Sequence, residues 1–325
     1  MAIGGSDSEA TSPAVTISMP ARLHFGFLDI NGGLGRRFGS LGLGIGQIRT
    51  RLSLRAAERD SASGPQAERA GRYLAELRAA LGLRGALALT VEDAIPEHAG
   101  LGSGTQMALG VSAVLRRLHG LPMAPEEDAL RLRRGERSGI GIGLFARGGF
   151  IVDGGNGETP RAPPVLARLL FPRAWRVILL MAPSVRGVHG PDELAAFRDL
   201  PPFPASAAAH ICRLTLLKIL PALAECDLPR FGAGIAEVQA ITGDHFAPAQ
   251  GGRFASPAVA AALNALTRLG AHGPGQSSWG PTGFAFAPSE GEALRLSDAL
   301  RGDPVSRGLD IKHCQGLNHG MSDAV

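Results

Sequence analysis

The sequence predicts an α+β protein of two domains, and three observations carry that reading. Short strand-like runs crowd the N-terminal part, strand and helix patterns then mix without strict alternation, and a proline-rich stretch from Thr159 to Pro164 interrupts the chain near its middle. A doubly wound parallel sheet would instead alternate strand and helix throughout. The 325 residues suffice for two ordinary domains, and 45% hydrophobic with 19% charged residues is a globular composition.

Met1 to Pro13 is small and polar without periodicity, so residues 1–14 read as a disordered tail, with one domain over 15–165 and a second over 166–325. Val15 to Met19, Arg22 to Leu28, Leu41 to Ile48 and Arg51 to Ala56 are strand-like runs separated by Gly, Pro and Asn, the pattern of a β-meander. Glu58 to Pro65 is a loop. Ala67 to Leu81 has helical spacing and Gly85 to Val91 returns to a strand. Thr105 to Leu118 puts Met107, Val111, Val114, Leu115 and Leu118 on one helical face, a helix fits Pro125 to Arg134, and Gly148 to Val152 reads as a strand. Past the linker come a strand from Trp175, helices within Ala205 to Ala240, helix Pro257 to Leu269, strand Gly283 to Ala287, helix Glu290 to Leu300 and strand Leu309 to Lys312.

Charge and composition exclude several function classes. Lysine occurs only at Lys218 and Lys312, so a P-loop nucleotide site and an N-terminal lysine imine are ruled out. The abundant arginines follow from base composition or, where they line a cleft, suit a polyanion, because the guanidinium fork matches phosphate oxygens. Cys212, Cys226 and Cys314 lack CxxC spacing and read as buried free thiols, not as a zinc or disulfide framework. No uninterrupted apolar run approaches membrane length and no secretory pattern opens the chain, so a cytoplasmic protein without a membrane partner is expected. A nucleic-acid partner is not expected either, since the 13 Phe, 2 Trp and 1 Tyr lie mostly inside apolar segments.

The chemistry concentrates in one loop. Between a strand and an apolar helix stands Pro96-Glu97-His98-Ala99-Gly100-Leu101-Gly102-Ser103-Gly104-Thr105-Gln106. Its glycines let the backbone approach an anion, and the N–H groups and partial positive charge of the following helix attract phosphate. Gly100, Leu101, Gly102, Ser103, Gly104, Thr105 and Gln106 are therefore candidate phosphate or pyrophosphate contacts. A glycine turn with Ser103 or Thr105 as an ordinary helix cap is the structural alternative.

This loop resembles the second signature of the GHMP superfamily, which includes galactokinase, homoserine kinase and mevalonate kinase. Pro20-Ala21-Arg22-Leu23-His24-Phe25-Gly26-Phe27-Leu28-Asp29 resembles the superfamily's N-terminal motif, and Gly273-Pro274-Gly275-Gln276-Ser277-Ser278-Trp279-Gly280 its C-terminal glycine loop. The resemblance implies an N-terminal α/β domain of ribosomal-protein type and a ferredoxin-like C-terminal domain. Where many of these kinases carry an aspartate that serves the attacking hydroxyl, this chain has Gly141, which reads as a turn.

Together with Arg137-Ser138-Gly139-Ile140-Gly141-Ile142-Gly143 and Gly148-Gly149-Phe150-Ile151-Val152-Asp153, these strings resemble a non-kinase branch, the β-ribofuranosylaminobenzene 5'-phosphate synthases of methanopterin biosynthesis. That resemblance implies a phosphoribosyl transfer from phosphoribosyl pyrophosphate to 4-aminobenzoate, releasing carbon dioxide and pyrophosphate, with Mg²⁺ on the pyrophosphate and no organic cofactor. An ATP-dependent small-molecule kinase is the alternative, and a homodimer is an assembly the sequence leaves open.

The roles this implies are Arg22 on a phosphate or carboxylate, His24 as a hydrogen-bond donor and Asp29 on the metal or ribose hydroxyls. A surface ion pair, a strand histidine and a turn cap are the respective alternatives. Ser138, Gly139, Arg186, His189, Gln276, Ser277 and Ser278 are candidate substrate contacts. Trp279 is equally a core residue, and Glu97 and His98 read as solvated.

Overall fold

The computed structural model describes residues 14–159, 161–187 and 190–323, so the expected tail up to Pro13 and the candidate His189 lie outside the described residues. The first half runs β1 (Val15–Asp29), β2 (Phe38–Ala57), β3 (Ser61–Ser63), α1 (Ala67–Ala80), β4 (Ala86–Asp93), α2 (Ser103–Leu118), α3 (Pro125–Arg131), α4 (Ile140–Arg147), β5 (Phe150–Asp153) and β6 (Val165–Leu169). The second runs β7 (Arg176–Met181), α5 (Pro191–Asp199), α6 (Ala205–Leu214), α7 (Leu220–Ala224), α8 (Leu228–Gln250), α9 (Pro257–Arg268), β8 (His272–Gln276), β9 (Gly283–Ala287), α10 (Glu290–Arg301), β10 (Asp310–Gln315) and β11 (Ser322–Asp323).

Among the described residues the strands form a seven-stranded sheet, β11-β1-β2-β4-β3 with β5 and β6 continuing from β2, and a four-stranded antiparallel sheet, β10-β7-β9-β8. The α+β class is as read. The four expected N-terminal strands are in fact two long ones. Pro20 does not end β1, because the register slips there: Pro20 faces Arg49 and Ala21 faces Ile45, so the extra residues bulge out of β2 and the missing N–H breaks no ladder.

The expected domain boundary at residue 165 also shifts. β6 pairs with β5 and extends the first sheet, while β11 returns from the far end of the chain to pair with β1 through Ile17↔Asp323 and Ser18↔Ser322. The sequence offers a turn as the plain structural reading of Gly141, but that glycine lies inside helix α4. The glycines of this helix serve close packing instead: a Cβ on Gly143 would lie 2.9 Å from Ile151 and 3.0 Å from Val165.

One core cluster joins the two halves. Leu23 and Phe25 of β1 meet Phe284 and Phe286 of β9 and Phe231 of α8, with the Phe25 and Phe284 rings 5.0 Å apart. The opposite face of the first sheet packs on α1 and α2, and α9 and α10 cover the second sheet. Ala205–Ala224 is continuous through a π-helical turn at Thr215–Ile219 and, at mean hydropathy 1.4, is long and apolar enough to cross a membrane. His210, Arg213 and Lys218 hide that length from a search for unbroken apolar runs, and Ile211, Leu214, Ile219 and Leu223 pack into the core. The turn widens where Pro221 has no N–H to offer the carbonyl four residues back. Of the cysteines, Cys314 is the buried one, its thiol pushed up to about 12 by burial. Cys212 is half-buried, and Cys226 is exposed, contrary to expectation.

Candidate functional site

Three loops from different parts of the chain interleave at the start of α2. Gly100 and Gly102 take φ of 76° and 83°, the left-handed region that a side chain resists. A Cβ on Gly100 would lie 2.1 Å from the Ser277 carbonyl oxygen, and one on Gly280 would lie 2.3 Å from the Gly100 nitrogen. Gly187 closes the third side, its N–H donating to the His98 carbonyl at 3.2 Å. Ser277, fully buried, donates from Oγ to the Gly100 carbonyl at 2.6 Å and accepts from the His24 N–H at 3.0 Å. The C-terminal loop thus buttresses both other motifs.

Gly102 stands at the N-terminus of α2, and no side chain caps that helix, neither Ser103 nor Thr105. Its first N–H groups remain available to an anion. Over them lies a cleft of about 580 Å³ walled by Arg22, Arg69, Arg72, Arg134 and Arg137. The lack of a Cβ on Gly104 leaves room for two guanidinium groups, whose nearest atoms would be 3.0 Å (Arg69) and 3.3 Å (Arg134) from it. Each arginine has its own support. Arg69 bonds Glu97, Arg134 bonds the Tyr73 hydroxyl, and Arg137 pairs with Glu193 at 2.6 Å. Arg22 reaches Gly100 O through Nη1 at 2.6 Å and lies against Gly102, where a Cβ would come within 2.8 Å of its Cγ. Burial lowers its pKa to about 10, opposed by Glu193, so it stays charged at neutral pH.

Arg22 and His24 line the same continuation of the cleft, about 230 Å³ and also bounded by Thr105, Ser138, Gly141 and Ser278. The two-residue strand spacing that pairs them is as read. His24 is 2% exposed, and burial, with the Arg22 charge, lowers its pKa to about 3. Its Nδ1 accepts from the Gly26 N–H at 3.2 Å, so the neutral ring carries its proton on Nε2.

Several expected contacts belong elsewhere. Asp29 is a turn cap: its Oδ1 accepts from the Asn31 and Gly32 N–H groups at 2.7 and 3.2 Å, and it lines neither cleft cavity. Gln106 is fully buried and donates to Gly141 O at 2.8 Å, tying α2 to α4 instead of meeting an anion. Leu101 presents only backbone, its side chain being in the core. Gly139 donates to Asp153 Oδ2 at 2.9 Å beneath the Pro163 carbonyl, away from the cleft. Arg186 is exposed on its loop and is not among the cleft walls. Gln276 is occupied by Ala255, Gln239, Gln250 and Ser278, so it shapes the site from behind.

Gly141 is neither a turn nor an open position. A Cβ there would sit 2.9 Å from Thr105 Cγ2, so Thr105 fills the space a carboxylate would need. Asp153, buried and raised to about 6 by that burial, anchors the start of α4 by accepting from the Gly139 N–H and closes the turn after β5 by accepting from the Gly155 N–H. Sequence patterns do not single out Arg69, Arg72, Arg134 or the carboxylate Glu193, since only the fold brings α1, the segment after α3 and α5 together; Glu97, which reads as solvated, pairs with Arg69 in the cleft wall.

Residues 68–149 match the family of GHMP kinases N terminal domains, and residues 219–304 match GHMP kinases C terminal. The chain is 29% identical over 291 residues to the β-ribofuranosylphenol 5'-phosphate synthase of Methanothermobacter thermautotrophicus, covering 83% of this chain and 87% of that one. It is 34% identical to the Archaeoglobus fulgidus protein of the same name, over 68% and 74% of the respective chains. The fold is similar to that of homoserine kinase from Cytophaga hutchinsonii, with a TM-score of 0.66 at 15% identity over 99% of both chains.

Proposed function

The chain belongs to the β-ribofuranosylphenol 5'-phosphate synthase family, built on the GHMP kinase fold, and from that premise we propose that it transfers the phosphoribosyl group of phosphoribosyl pyrophosphate to a para-substituted benzoate. The observation that carries this reading is the arginine-walled cleft over an uncapped helix N-terminus, beside a position 141 closed to a kinase base. Such a cleft suits a donor with both a diphosphate and a 5'-phosphate.

The bond from the ribose anomeric carbon to pyrophosphate breaks with its electron pair on the leaving oxygen. The ring carbon bearing the carboxylate forms the new C–C bond, and loss of carbon dioxide returns an electron pair to the ring. The para donor carries the ring's positive charge meanwhile. Arginines fixed before the reaction stabilise the departing charge without reorganising. His24, held neutral, donates from Nε2 and takes no proton.

Among the described residues no three His, Cys, Asp or Glu side chains converge on a metal position. Mg²⁺ therefore fits as a companion of the donor's diphosphate, whose charge it neutralises, with Glu97 and Glu193 the carboxylates in the cleft wall. The relatives' name denotes a phenol product, which points to 4-hydroxybenzoate, whereas the sequence expectation was 4-aminobenzoate. We place the reaction in the cytoplasm, where small phosphorylated donors of this kind are found.

The test is to mix the protein, Mg²⁺ and phosphoribosyl pyrophosphate with each acid and to measure carbon dioxide and the C-riboside. Stoichiometric formation of both is expected, with no ATP dependence. Substrate-dependent ADP formation on the order of 1 s⁻¹ from ATP and hydroxylated metabolites, without riboside, would overturn the proposal in favour of a kinase.

A further inference from the structure

The turn over residues 277–282 is locked from within, the Ser277 N–H donating to Thr282 O at 2.9 Å and the Gly280 N–H to Ser277 O at 3.2 Å. It is locked from outside as well, since Ser277 bonds the Gly100 carbonyl and the His24 N–H, and Gly280 packs on the backbone of Ala99 and Gly100. Ser278 stands in this turn at φ 57°, in the left-handed region that resists a side chain. Elsewhere around the cleft the chain meets that demand with glycine, at Gly100 and Gly102. The Ser278 backbone is fully engaged, its N–H donating to His24 O at 3.2 Å and its carbonyl accepting from Gln276 Nε2 at 3.1 Å. Glycine would sit there without strain, so what serine adds is its hydroxyl. That hydroxyl makes no hydrogen bond among the described residues, and Ser278 lines both compartments of the cleft.

Its position gives the hydroxyl a task. The compartment of about 580 Å³ over the α2 N-terminus and that of about 230 Å³ beside His24 share Arg22, Thr105, Arg134, Arg137, Glu193 and Ser278, which mark the seam between them. Arg22 is committed to the Gly100 carbonyl, Arg134 to Tyr73, Arg137 and Glu193 to each other, and the Thr105 methyl packs toward Gly141. Ser278 brings an uncommitted neutral donor on a backbone fixed at both its N–H and its carbonyl. In the reaction proposed above the diphosphate lies on the helix N-terminus and the ribose runs toward His24. The atoms at the seam are then the anomeric carbon and the oxygen that leaves it.

We propose that Ser278 is a catalytic residue of that reaction, on which its role rests, with Oγ–H donating to the oxygen through which pyrophosphate departs. In the bound donor this oxygen bridges carbon and phosphorus and is a poor acceptor. As the C–O bond breaks, the electron pair stays on it and negative charge grows there, so the hydrogen bond strengthens in the transition state. The serine shares its proton without transferring it: pyrophosphate leaves as the anion, and the hydroxyl ends the step as it began.

Single-turnover formation of the C-riboside from phosphoribosyl pyrophosphate and 4-hydroxybenzoate or 4-aminobenzoate, with Mg²⁺, tests this in the full chain and two variants, beside thermal unfolding of each. Ser278→Gly removes both the hydroxyl and the strain, whereas Ser278→Ala removes the hydroxyl and keeps the strain. The rate at saturating substrates should fall about 100-fold in both, the size typical of one lost donor to a developing anion. Half-saturation by the donor should move less than about threefold, and Ser278→Gly should melt no lower than the parent. A parent-like rate in Ser278→Gly would overturn the assignment and leave the reaction standing. A rate loss confined to Ser278→Ala would do the same, making the residue a turn former, as would a loss expressed only as weaker donor binding. Absence of riboside from the parent with either acid would instead remove the reaction, and this role with it.

Discussion

The two sides of His24 are built on opposite principles. On one, long arginine side chains surround an open cleft and act on a ligand through charge, each steadied by its own partner. On the other, rings close in to contact distance around a narrow slot, and most polar groups are already paired. Charge acts over several ångströms and tolerates imperfect placement, whereas the packing of rings depends on contact and falls away with a small displacement. The cleft should therefore be robust to the loss of one arginine and fragile to anything that moves the backbone beneath them.

The largest effect is expected where backbone and arginine meet. Gly102→Val places a β-branched residue at φ 83° and drives its side chain into Arg22, which also holds Gly100. The strain alone is about 1–2 kcal/mol for any L-residue and greater for valine. With the displaced guanidinium added, pyrophosphate affinity should fall by about 100-fold, roughly 2.7 kcal/mol, while the protein stays folded. Titration with pyrophosphate beside a thermal unfolding curve measures both, and an unchanged affinity in the folded variant would take the anion off this loop.

His24, the divider, sharpens the comparison through pH. Its folded pKa of about 3 lies below the ordinary 6.5, so the unfolded chain gains a proton first as pH falls. The stability it contributes is complete above pH 6.5 and is lost progressively down to pH 3. Asp153 works in the opposite direction: raised to about 6, it contributes stability that is present below 3.8 and lost as pH rises through 6. The two nearly cancel between pH 4 and 6 in the parent. Subtracting a His24→Gln variant from the parent cancels Asp153 and isolates the histidine, so the parent's advantage should shrink by about 2 kcal/mol between pH 7 and pH 5. Urea unfolding at the two pH values checks it. An advantage independent of pH would mean that His24 is not held neutral.

How much of this was legible follows the range of the interactions. Gly100, Gly102 and the apolar face of α2 are local signals, and they located the phosphate loop and its helix. The strand spacing of Arg22 and His24 is local too, and it placed both in one cleft. Arg69 and Arg134 converge only because α1 and the segment after α3 pack on α2, so no local pattern distinguishes them from surface arginines. Gln106 misled because its position in the loop motif suggested an anion contact, whereas the helical turn points its amide at Gly141. The glycines of α4 misled in the opposite way, since close packing and a turn select the same residue. Asp29 carried both readings, and only hydrogen-bond geometry separates them.

The smallest effect is therefore expected at Asp29, which lies outside both compartments. Its carboxylate accepts two backbone N–H groups where β1 turns toward Asn31 and Gly32, so Asp29→Ala removes a turn cap and nothing that meets a substrate. Loss of such a cap costs about 0.5–2 kcal/mol, which in a protein of this size lowers Tm by a few degrees. Asp29→Asn retains an oxygen in the same place and should recover most of that stability. Turnover should stay within about twofold of the parent in both variants, because the cap lines neither cleft cavity and about one kcal/mol of global stability does not change occupancy of the folded state at assay temperature. A tenfold fall in kcat for Asp29→Asn at unchanged Tm would return the residue to the chemistry, since an amide preserves the turn but not the charge. A fall in Tm with kcat intact would confirm that Asp29 shapes the end of the strand that carries Arg22 and His24, and acts no further.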